Sequence, residues 1–342
     1  MNILGIETSC DDTAISIVKD GQTIKSNIIA SQVHMHEKYG GIIPEIASRE
    51  HFLTIIPSIQ EALSESELNH NEIDSIAVTN GPGLAGSLLV GVNAAKGLAM
   101  AWDKPVIPIN HLEGHIYSGW LDNKNPDKDV GFPLICLIAS GGHTEMVLMK
   151  DHLSYEIIGK TRDDAAGEAF DKTARVLRLG FPGGPEIQRE AQNAEGTIAP
   201  FPRPEIKNSL DFSFSGLKTA VVNRAIKEQI YPHSNSNYPN KNTVTEYAFA
   251  FQEAIVDTMI RNVSRALKNI AAKGVLLGGG VAANSRLREK MSQTLSVPVI
   301  VPKPYLCTDN GAMIASAAYY RIQANGTSNV FDMDVIPNLK LD

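Results

Sequence analysis

Two histidines four residues apart, His111 and His115, are the side chains of this sequence best suited to hold a metal ion. They follow directly on an apolar, strand-like segment at residues 105–109. If the run opens a helix, the i, i+4 spacing places both imidazoles on one face. Two imidazoles supply half of a tetrahedral site or two thirds of a facial triad, while capping or packing of both histidines is the alternative.

The acid in this run is in the wrong place for a zinc protease. The pattern H-E-x-x-H needs a glutamate directly after the first histidine, where it acts as general base. Leu112 occupies that position, and the acid is Glu113 instead. The spacing therefore argues against proteolysis of that type.

Composition restricts the class of protein further. With 342 residues, the chain is long enough for two domains or one duplicated unit. A net charge of −7 argues against a protein that binds nucleic acid alone over its whole surface. Three widely spaced cysteines, no apolar stretch of membrane-spanning length and no signal peptide predict a reducing, cytoplasmic location.

The pattern of strands and helices occurs twice, which predicts a duplicated α/β fold of two βββαβα units. Strands are expected over 3–6, 14–18 and 22–29, and again over 134–139, 145–149 and 155–159. Lone buried strands follow at 75–79 and 274–277, each leading through glycines into a helix, at 85–101 and 281–293. We place an N-terminal lobe at 1–130, a C-terminal lobe at 131–310 and a C-terminal helix and tail at 311–342. A ligand would bind in a cleft where the turns of both halves meet.

Glycine-bearing turns close three of these strands, at 80–83, 140–142 and 278–280. Glycine lets backbone N–H groups approach an anion, and the helix N-terminus that follows favours negative charge. None of the turns matches the Walker or the dinucleotide-binding pattern. The turns therefore predict an anionic ligand without a P-loop ATPase or a nicotinamide enzyme.

Several polar stretches allow two interpretations. Asp164, Glu168 and Asp171 fall at helical spacing and predict one acidic stripe, which would be functional or simply solvated. Asp309 precedes a helix, where it would be either an N-cap or the carboxylate that completes the two-histidine site. Residues 231–243 predict a surface loop, and the polar tail from Asn325 is expected to be peripheral.

Taken together, the ordered motifs resemble one family. They are Glu7-Thr-Ser-Cys-Asp-Asp12, Tyr39-Gly-Gly-Ile-Ile-Pro-Glu-Ile-Ala-Ser-Arg49, His111-x-x-x-His115, Ser140-Gly-Gly-His-Thr144, Asp163-Asp164-x-x-Gly-Glu168, Phe181-Pro-Gly-Gly-Pro185, Ser213-Phe-Ser-Gly-Leu-Lys218, Gly278-Gly-Gly-Val-Ala-x-Asn284 and Cys307-Thr-Asp-Asn310. Over roughly residues 1–320 the chain closely resembles the bacterial TsaD family, tRNA N6-adenosine threonylcarbamoyltransferases, once labelled O-sialoglycoprotein endopeptidases. The resemblance implies the actin-like ATPase and sugar-kinase type of fold, with two lobes and a nucleotide cleft.

The resemblance also implies site residues. A divalent metal, Fe2+ or alternatively Zn2+, would be held by His111, His115 and Asp309. Substrate-binding positions would be Ile138, Ala139, Ser140, Gly141, Gly142, Asp171, Gly184, Gln188 and Asn284. Gln188 departs from the family because many members carry Asp there, and Asp12 stands where Glu is common.

The implied reaction transfers the threonylcarbamoyl group from threonylcarbamoyl-AMP to N6 of adenosine 37, beside the anticodon of tRNAs that read ANN codons. The product is threonylcarbamoyladenosine (t6A), and AMP leaves. The motifs do not identify a general base, although Asp11 is a candidate. The implied partners are tRNA, a TsaB-like paralogue and a TsaE-like ATPase. Basic residues for tRNA contact would be Arg175, Arg178, Arg286, Arg288 and Lys290, all of which suit an ordinary solvated helix face equally well.

Three other functions agree less well with these residues. A sugar or acetate-type kinase would share the fold but has no use for a metal-bound histidine pair. A glycoprotease would share the histidines but lacks the general-base glutamate. A non-catalytic scaffold would not need a complete His-His-Asp set.

Overall fold

The computed structural model describes residues 1–194, 198–232, 240–327 and 331–341. Its contacts divide the chain into two compact units. Unit 1 comprises residues 1–131, 149–156 and 302–342, and unit 2 comprises residues 132–148 and 157–301. The C-terminal segment, including Asp309, thus belongs to the unit of the two histidines, whereas the sequence-based boundaries put Asp309 in the other lobe.

Unit 1 is built on a five-stranded sheet in the order β3-β2-β1-β4-β5. Its elements are β1 (Asn2–Glu7), β2 (Asp12–Lys19), β3 (Thr23–Ser31), α1 (Val33–His36), α2 (Pro44–Glu65), β4 (Ser75–Gly81), α3 (Ala85–Trp102), β5 (Val106–Asn110), α4 (His111–Tyr117) and α5 (Pro126–Asp129). The first three strands are antiparallel, and β4 and β5 continue the sheet in parallel with β1. A long C-terminal helix, Gly311–Asn325, packs on β1, β2 and α4.

Unit 2 repeats this arrangement in the order β10-β9-β6-β7-β8. Its elements are β6 (Leu134–Ala139), β7 (Thr144–Asp151), β8 (Ser154–Lys160), α6 (Ala166–Val176), α7 (Gly183–Ala191), α8 (Ser215–Lys227), α9 (Lys241–Asn269), β9 (Gly274–Gly278), α10 (Ser285–Thr294) and β10 (Val299–Ile300), except that residues 149–156, where β7 turns into β8, are grouped with unit 1. The helix Gly311–Asn325 of unit 1 is α11. Since β6, β9 and β10 are parallel, they correspond to β1, β4 and β5. The predicted duplicated α/β fold is confirmed.

Short 3₁₀ turns complete the chain, at Glu37–Tyr39, His70–Glu72, Ser118–Trp120, Gly280–Ala283 and Pro304–Leu306. The predicted helix 281–293 is therefore wrong at its start. A 3₁₀ turn comes first, and α10 begins at Ser285 because the Asn284 side chain caps it by accepting the N–H of Leu287.

The core of unit 1 lies between its sheet and helices α2 and α3. Strand residues such as Leu4, Ile6 and Val78 pack there against Ile55 and Ile59 of α2, and all are almost fully buried. Of the predicted loop 231–243, residues 233–239 lie outside the described part of the chain. Within the described ranges, no helix is long and apolar enough to cross a membrane.

Candidate metal centre and nucleotide-binding turns

The two histidines lie side by side at the start of α4. The Asn110 side chain caps this helix by accepting the N–H of Leu112 at 2.8 Å, so the helix begins immediately after β5. The rings of His111 and His115 are 4.6 Å apart between centroids, and both side chains are buried. The predicted helical spacing therefore produces a real pair of neighbouring imidazoles.

Asp309 completes the group from the segment that precedes α11. Its Oδ1 atom is 3.6 Å from Nε2 of His111 and 3.3 Å from Nε2 of His115. The alternative role of N-cap is wrong, because Asn310 performs it by accepting the N–H of Met313. The carboxylate of Asp309 thus faces the histidines rather than the helix end.

The residues fit a divalent cation. The ligand atoms of His111, His115 and Asp309 all lie within 4.8 Å of one another. Two ligands bound at about 2.1 Å to one ion are separated by roughly 3–3.5 Å, close to the distances found here. Neither ring nitrogen of His115 has a hydrogen-bond partner among the described residues, although the side chain is fully buried. A cation at Nε2 would satisfy one of these buried atoms.

Glu7, at the end of β1, orients the first histidine. Its Oε2 atom is 3.0 Å from Nδ1 of His111, which also lies 3.1 Å from the hydroxyl of Ser9. The same carboxylate accepts the Ser9 N–H and the Thr79 hydroxyl. Because Nδ1 is engaged in this way, Nε2 is the nitrogen left to face Asp309, the arrangement commonly found behind a metal-bound histidine. The sequence contained Glu7 within a motif but gave no signal of this role.

Charge coupling shifts the pKa values of this buried pair. Burial opposes the ionised form of both groups, but Glu7 and Asp309 raise the pKa of His111 to about 9. Burial likewise acts to raise the pKa of Glu7, and the neighbouring His111 reverses the effect, so that it is lowered. The pKa of His115 is lowered by burial despite Asp309, which keeps this imidazole neutral and suitable as a ligand.

Asp11 and Asp12 follow β1 in the same unit. Burial and then the charge of Asp309 raise the pKa of Asp11. Burial also raises the pKa of Asp12 to about 7. Raised pKa values near a candidate site mark carboxyl groups that accept protons readily.

In unit 2, the predicted substrate-binding residues form a connected series of contacts. The β6 strand ends in the turn from Ile138 to Gly142, and Ser140 accepts the N–H of Gly167 at 3.1 Å, at the start of α6. From α6, Asp171 accepts the N–H of Gly183 at 2.7 Å, at the start of α7. The structure therefore joins the β6 turn to two helix N-termini.

The series continues to α10. Gln188 of α7 accepts the N–H of Ser285 at 2.7 Å, and Asn284 donates to Gln252 at 2.8 Å. Through helices α6, α7 and α10, these contacts link Ser140, Asp171, Gln188 and Asn284 within unit 2. The structure also shows that Asp171, Gln188 and Asn284 hold helix starts.

Three glycines of this group are not required by packing. A Cβ atom added at Gly141, Gly142 or Gly184 would meet nothing within 4 Å. By contrast, a Cβ at Gly183 would lie 2.6 Å from Cα of Asp171, and one at Gly279 would lie 2.4 Å from the carbonyl oxygen of Ala139. Open space beside Gly141, Gly142 and Gly184 leaves room for a ligand to approach the backbone.

Two expectations from the sequence are wrong. The acidic stripe does not lie on one helix, because Asp164 precedes α6 and pairs with Lys172 and Lys218. The glycine turn at 80–83 is not open to an anion, because the chain's own residue Ile336 donates its N–H to Asn80 and Pro337 accepts that of Gly83. The local sequence around the turn does not predict this contact, because the residues that meet are more than 250 positions apart.

The basic residues of α10 are largely paired within the protein. Arg286 and Lys290 contact Glu253 of α9 at 2.5 and 2.7 Å, and Lys290 also contacts Asp257. Arg288 donates to the carbonyl of Ala282. This supports the interpretation of the α10 cluster as an ordinary solvated helix face.

The fold and these two groups of residues define a duplicated α/β protein that carries a candidate metal centre. Component A of the (R)-2-hydroxyglutaryl-CoA dehydratase of Acidaminococcus fermentans shares this fold with a TM-score of 0.55, at 16% identity over 95% of this chain and 100% of that chain.

Comparison of sequences identifies the family. The family model of TsaD, tRNA N6-adenosine threonylcarbamoyltransferase, matches residues 23–316. A relative of that name from Thermomicrobium roseum is 50% identical, with 100% of this chain and 97% of the relative covered. Another, from Dehalococcoides mccartyi, is 49% identical, with 100% and 99% covered. The chain belongs to the TsaD family and is a transferase.

Proposed function

We propose that this enzyme transfers the threonylcarbamoyl group from threonylcarbamoyl-AMP to N6 of adenosine 37 in tRNAs that read ANN codons, which yields t6A and AMP. The family membership supports the reaction class. The observation that carries the site assignment is the convergence of His111, His115 and Asp309 on one point, with Glu7 behind the first histidine. The tRNA substrate agrees with the cytoplasmic location expected from the cysteines.

We assign His111, His115 and Asp309 to one divalent cation, Fe2+ ahead of Zn2+. Two imidazoles and a carboxylate suit either ion, and the family resemblance favours iron. When bound, the cation supplies Lewis-acid polarisation and a fixed position for oxygen atoms of the acyl-adenylate. The protein contributes a rigid helix start, a neutral His115 and a Glu7 that selects the ligating nitrogen of His111.

The adenosine part of the donor is assigned to unit 2. Backbone N–H groups around Gly141, Gly142 and Gly184 would approach the nucleotide because no side chain stands in the way. Gln188 and Asn284 would hydrogen-bond its ribose hydroxyls. As a neutral amide, Gln188 is a weaker acceptor than the Asp common in the family.

Asp11 is proposed as the group that accepts the proton from N6 as the amine attacks the carbamoyl carbonyl. Its raised pKa brings it closer to the operating range of a general base. The bond that forms joins N6 to the carbamoyl carbon, the bond that breaks joins that carbon to the phosphate oxygen, and the proton goes to the Asp11 carboxylate.

A paralogous, TsaB-like subunit and a TsaE-like ATPase are proposed as partners in addition to tRNA. Helices α2 and α3 pack on each other and expose five large apolar side chains, Phe52, Leu53, Ile56, Leu89 and Met100. An apolar group of this size on two helices is typical of a protein interface. The net charge of −7 also favours a tRNA contact shared with other subunits.

The reaction is tested with the purified chain, both partner proteins, unmodified tRNA and preformed threonylcarbamoyl-AMP. Mass spectrometry of digested tRNA should detect t6A, and chromatography should detect an equal amount of AMP. The Asp309→Asn variant should lose the bound metal and at least about a hundredfold in rate, whereas the variant at the exposed His70, His70→Ala, should retain both. Full metal content and normal transfer in Asp309→Asn would overturn the site assignment.

The interface is tested separately with Phe52→Lys. This variant should lose binding to the paralogous subunit while it retains its metal. Unchanged binding would remove α2 from the proposed interface.

A further inference from the structure

The C-terminal segment 333–341, called here the C-terminal strap, is anchored to unit 1 by the buried residues at its two ends. Met333 and Leu341 are only 6% and 3% exposed, and Met333 packs with the core residues between the sheet and α2. The carbonyl of Met333 accepts from Lys96 of α3 at 2.6 Å. The expectation of a peripheral tail is therefore wrong for Met333 and Leu341, although the strap lies beyond the residues that match the family model.

The strap fills the first glycine turn. Ile336 donates its N–H to the carbonyl of Asn80 at 2.8 Å, and Gly83 donates to the carbonyl of Pro337 at 3.1 Å. A Cβ atom at Gly81 would lie 2.0 Å from the carbonyl oxygen of Ile336. The glycine at this position thus serves the approach of the strap and not of a ligand.

Near its end, the strap contacts Asn110, the residue that caps the N-terminus of α4. Asn110 uses both ends of its side-chain amide, because Oδ1 accepts the N–H of Leu112 and Nδ2 donates to the carbonyl of Lys340 at 2.9 Å. Asn110 is 4% exposed, so water competes little for these bonds. The bond to Lys340 fixes the amide in the orientation in which it caps α4.

We propose that the C-terminal strap positions α4, and with it His111 and His115, through the bond between Lys340 and Asn110. Asn110 is then a positioning residue for the reaction, and the strap is a required part of the site. The effect of the strap on metal binding and on the reaction rests on the proposed metal centre. Its effect on the position of α4 does not.

Two variants test the strap. Deletion of residues 331–342 removes it entirely, and Asn110→Ser keeps a capping oxygen but loses the amide donor. The matched control is Asn240→Ser, because Asn240 caps α9 in the same way and lies in the other unit. Amide hydrogen exchange of residues 112–117 is measured in metal-free protein, and affinity for Fe2+ or Zn2+ is measured by titration.

In the deletion variant and in Asn110→Ser, the α4 amides should exchange about fivefold faster or more. The metal affinity of both variants should fall about tenfold. Asn240→Ser should change neither quantity. A synthetic peptide of residues 331–342, added to the deletion variant, should restore slow exchange. Unchanged exchange and affinity in a folded deletion variant would overturn the inference.

If the deletion variant does not fold, Asn110→Ser decides, and native exchange rates in α4 of that variant would overturn the proposal. If the unaltered chain binds no metal, the proposed metal centre fails by itself. The exchange measurement then still supports or overturns the positioning role of the strap.

Discussion

The carboxylate of Glu113 lies against the guanidinium of Arg321, with Oε2 2.7 Å from Nη2, although Glu113 stands between the two histidines in the sequence. Tyr155 donates to its other oxygen at 3.0 Å. Since Arg321 belongs to α11, which begins just after Asp309, this pair ties that helix to α4, which supplies both histidines. Glu113 is consequently a structural residue and not a general base.

Removing one partner of this pair should be costly. Arg321→Met leaves a fully buried carboxylate without its charge partner, so the free energy of unfolding should fall by about 3 kcal/mol. Urea unfolding measures the change. Lys150→Met, which breaks the exposed pair with Glu156, should cost less than about 1 kcal/mol. The double variant Glu113→Gln with Arg321→Met should recover most of the loss; a double variant as unstable as the single one would contradict this account.

Glu7→Gln should weaken metal binding while His111 and His115 remain in place. An amide can still accept a hydrogen bond from His111, but it no longer increases the basicity of the ring. Metal affinity should fall about 10- to 100-fold, as measured by competition with a chelator. Glu45→Gln, at an exposed position in the first turn of α2, provides the control. Equal affinities in the two variants would show that Glu7 has no influence on the centre.

Substitution by alanine should affect the stability of the protein at Gly183 but not at the adjacent Gly184. Gly183→Ala places a methyl group 2.7 Å from Cβ of Ala174, so it should destabilise the protein by about 2 kcal/mol. Gly184→Ala meets no protein atom within 4 Å and should leave the stability within about 1 kcal/mol of the unaltered chain. If a nucleotide occupies this space, Gly184→Ala should raise KM for threonylcarbamoyl-AMP while the stability stays nearly unchanged. Unchanged KM would remove Gly184 from the binding site.

Asp12 should make stability depend on pH. Burial, followed by the charges of Asp11, Asp309 and Glu7, outweighs the hydrogen bond to Ser31 and raises the pKa from 3.8 to about 7. The folded chain therefore binds more protons than the unfolded chain between these values, and this carboxyl costs stability as pH rises from about 4 to about 7.

Asp12→Asn removes that cost. The variant should equal the unaltered chain near pH 4 and exceed it by about 2 kcal/mol at pH 8, roughly half the full linkage value because the carboxyl stays partly exposed. Urea unfolding at both pH values gives the difference, and Asp103→Asn at an exposed position should give none. A difference that shrinks as pH rises would have the wrong sign.

Local patterns predicted most of the elements. The strands of both units lie within a few residues of the expected positions, because alternating or continuous apolar runs between glycine and aspartate turns depend on neighbouring residues only. The i, i+4 histidine pair was predicted for the same reason. The start of α10 was missed because Gly280–Ala283 forms a 3₁₀ turn before the Asn284 cap, and the apolar pattern does not distinguish the two.

Contacts between distant residues could not be predicted in this way. Asp309 had two possible roles in the sequence, and the choice depended on Asn310 capping α11 instead. Glu7 supports His111 across 104 positions, and the strap covers a turn more than 250 positions away. The residues next to Glu7 do not indicate that it contacts His111, and those next to the strap do not indicate that it covers the turn at 80–83.

The sequence by itself determined the duplicated α/β fold, the helical histidine pair and the family. These follow from periodicity, spacing and ordered motifs, each of which is written within a short stretch of chain. The tertiary structure decided which carboxylate faces the histidines, which one orients them, and that the first glycine turn holds the chain's own strap and is closed to a ligand. The physical reason is that burial and hydrogen bonding are decided by which atoms meet in space, and here those atoms come from residues that are far apart in the sequence.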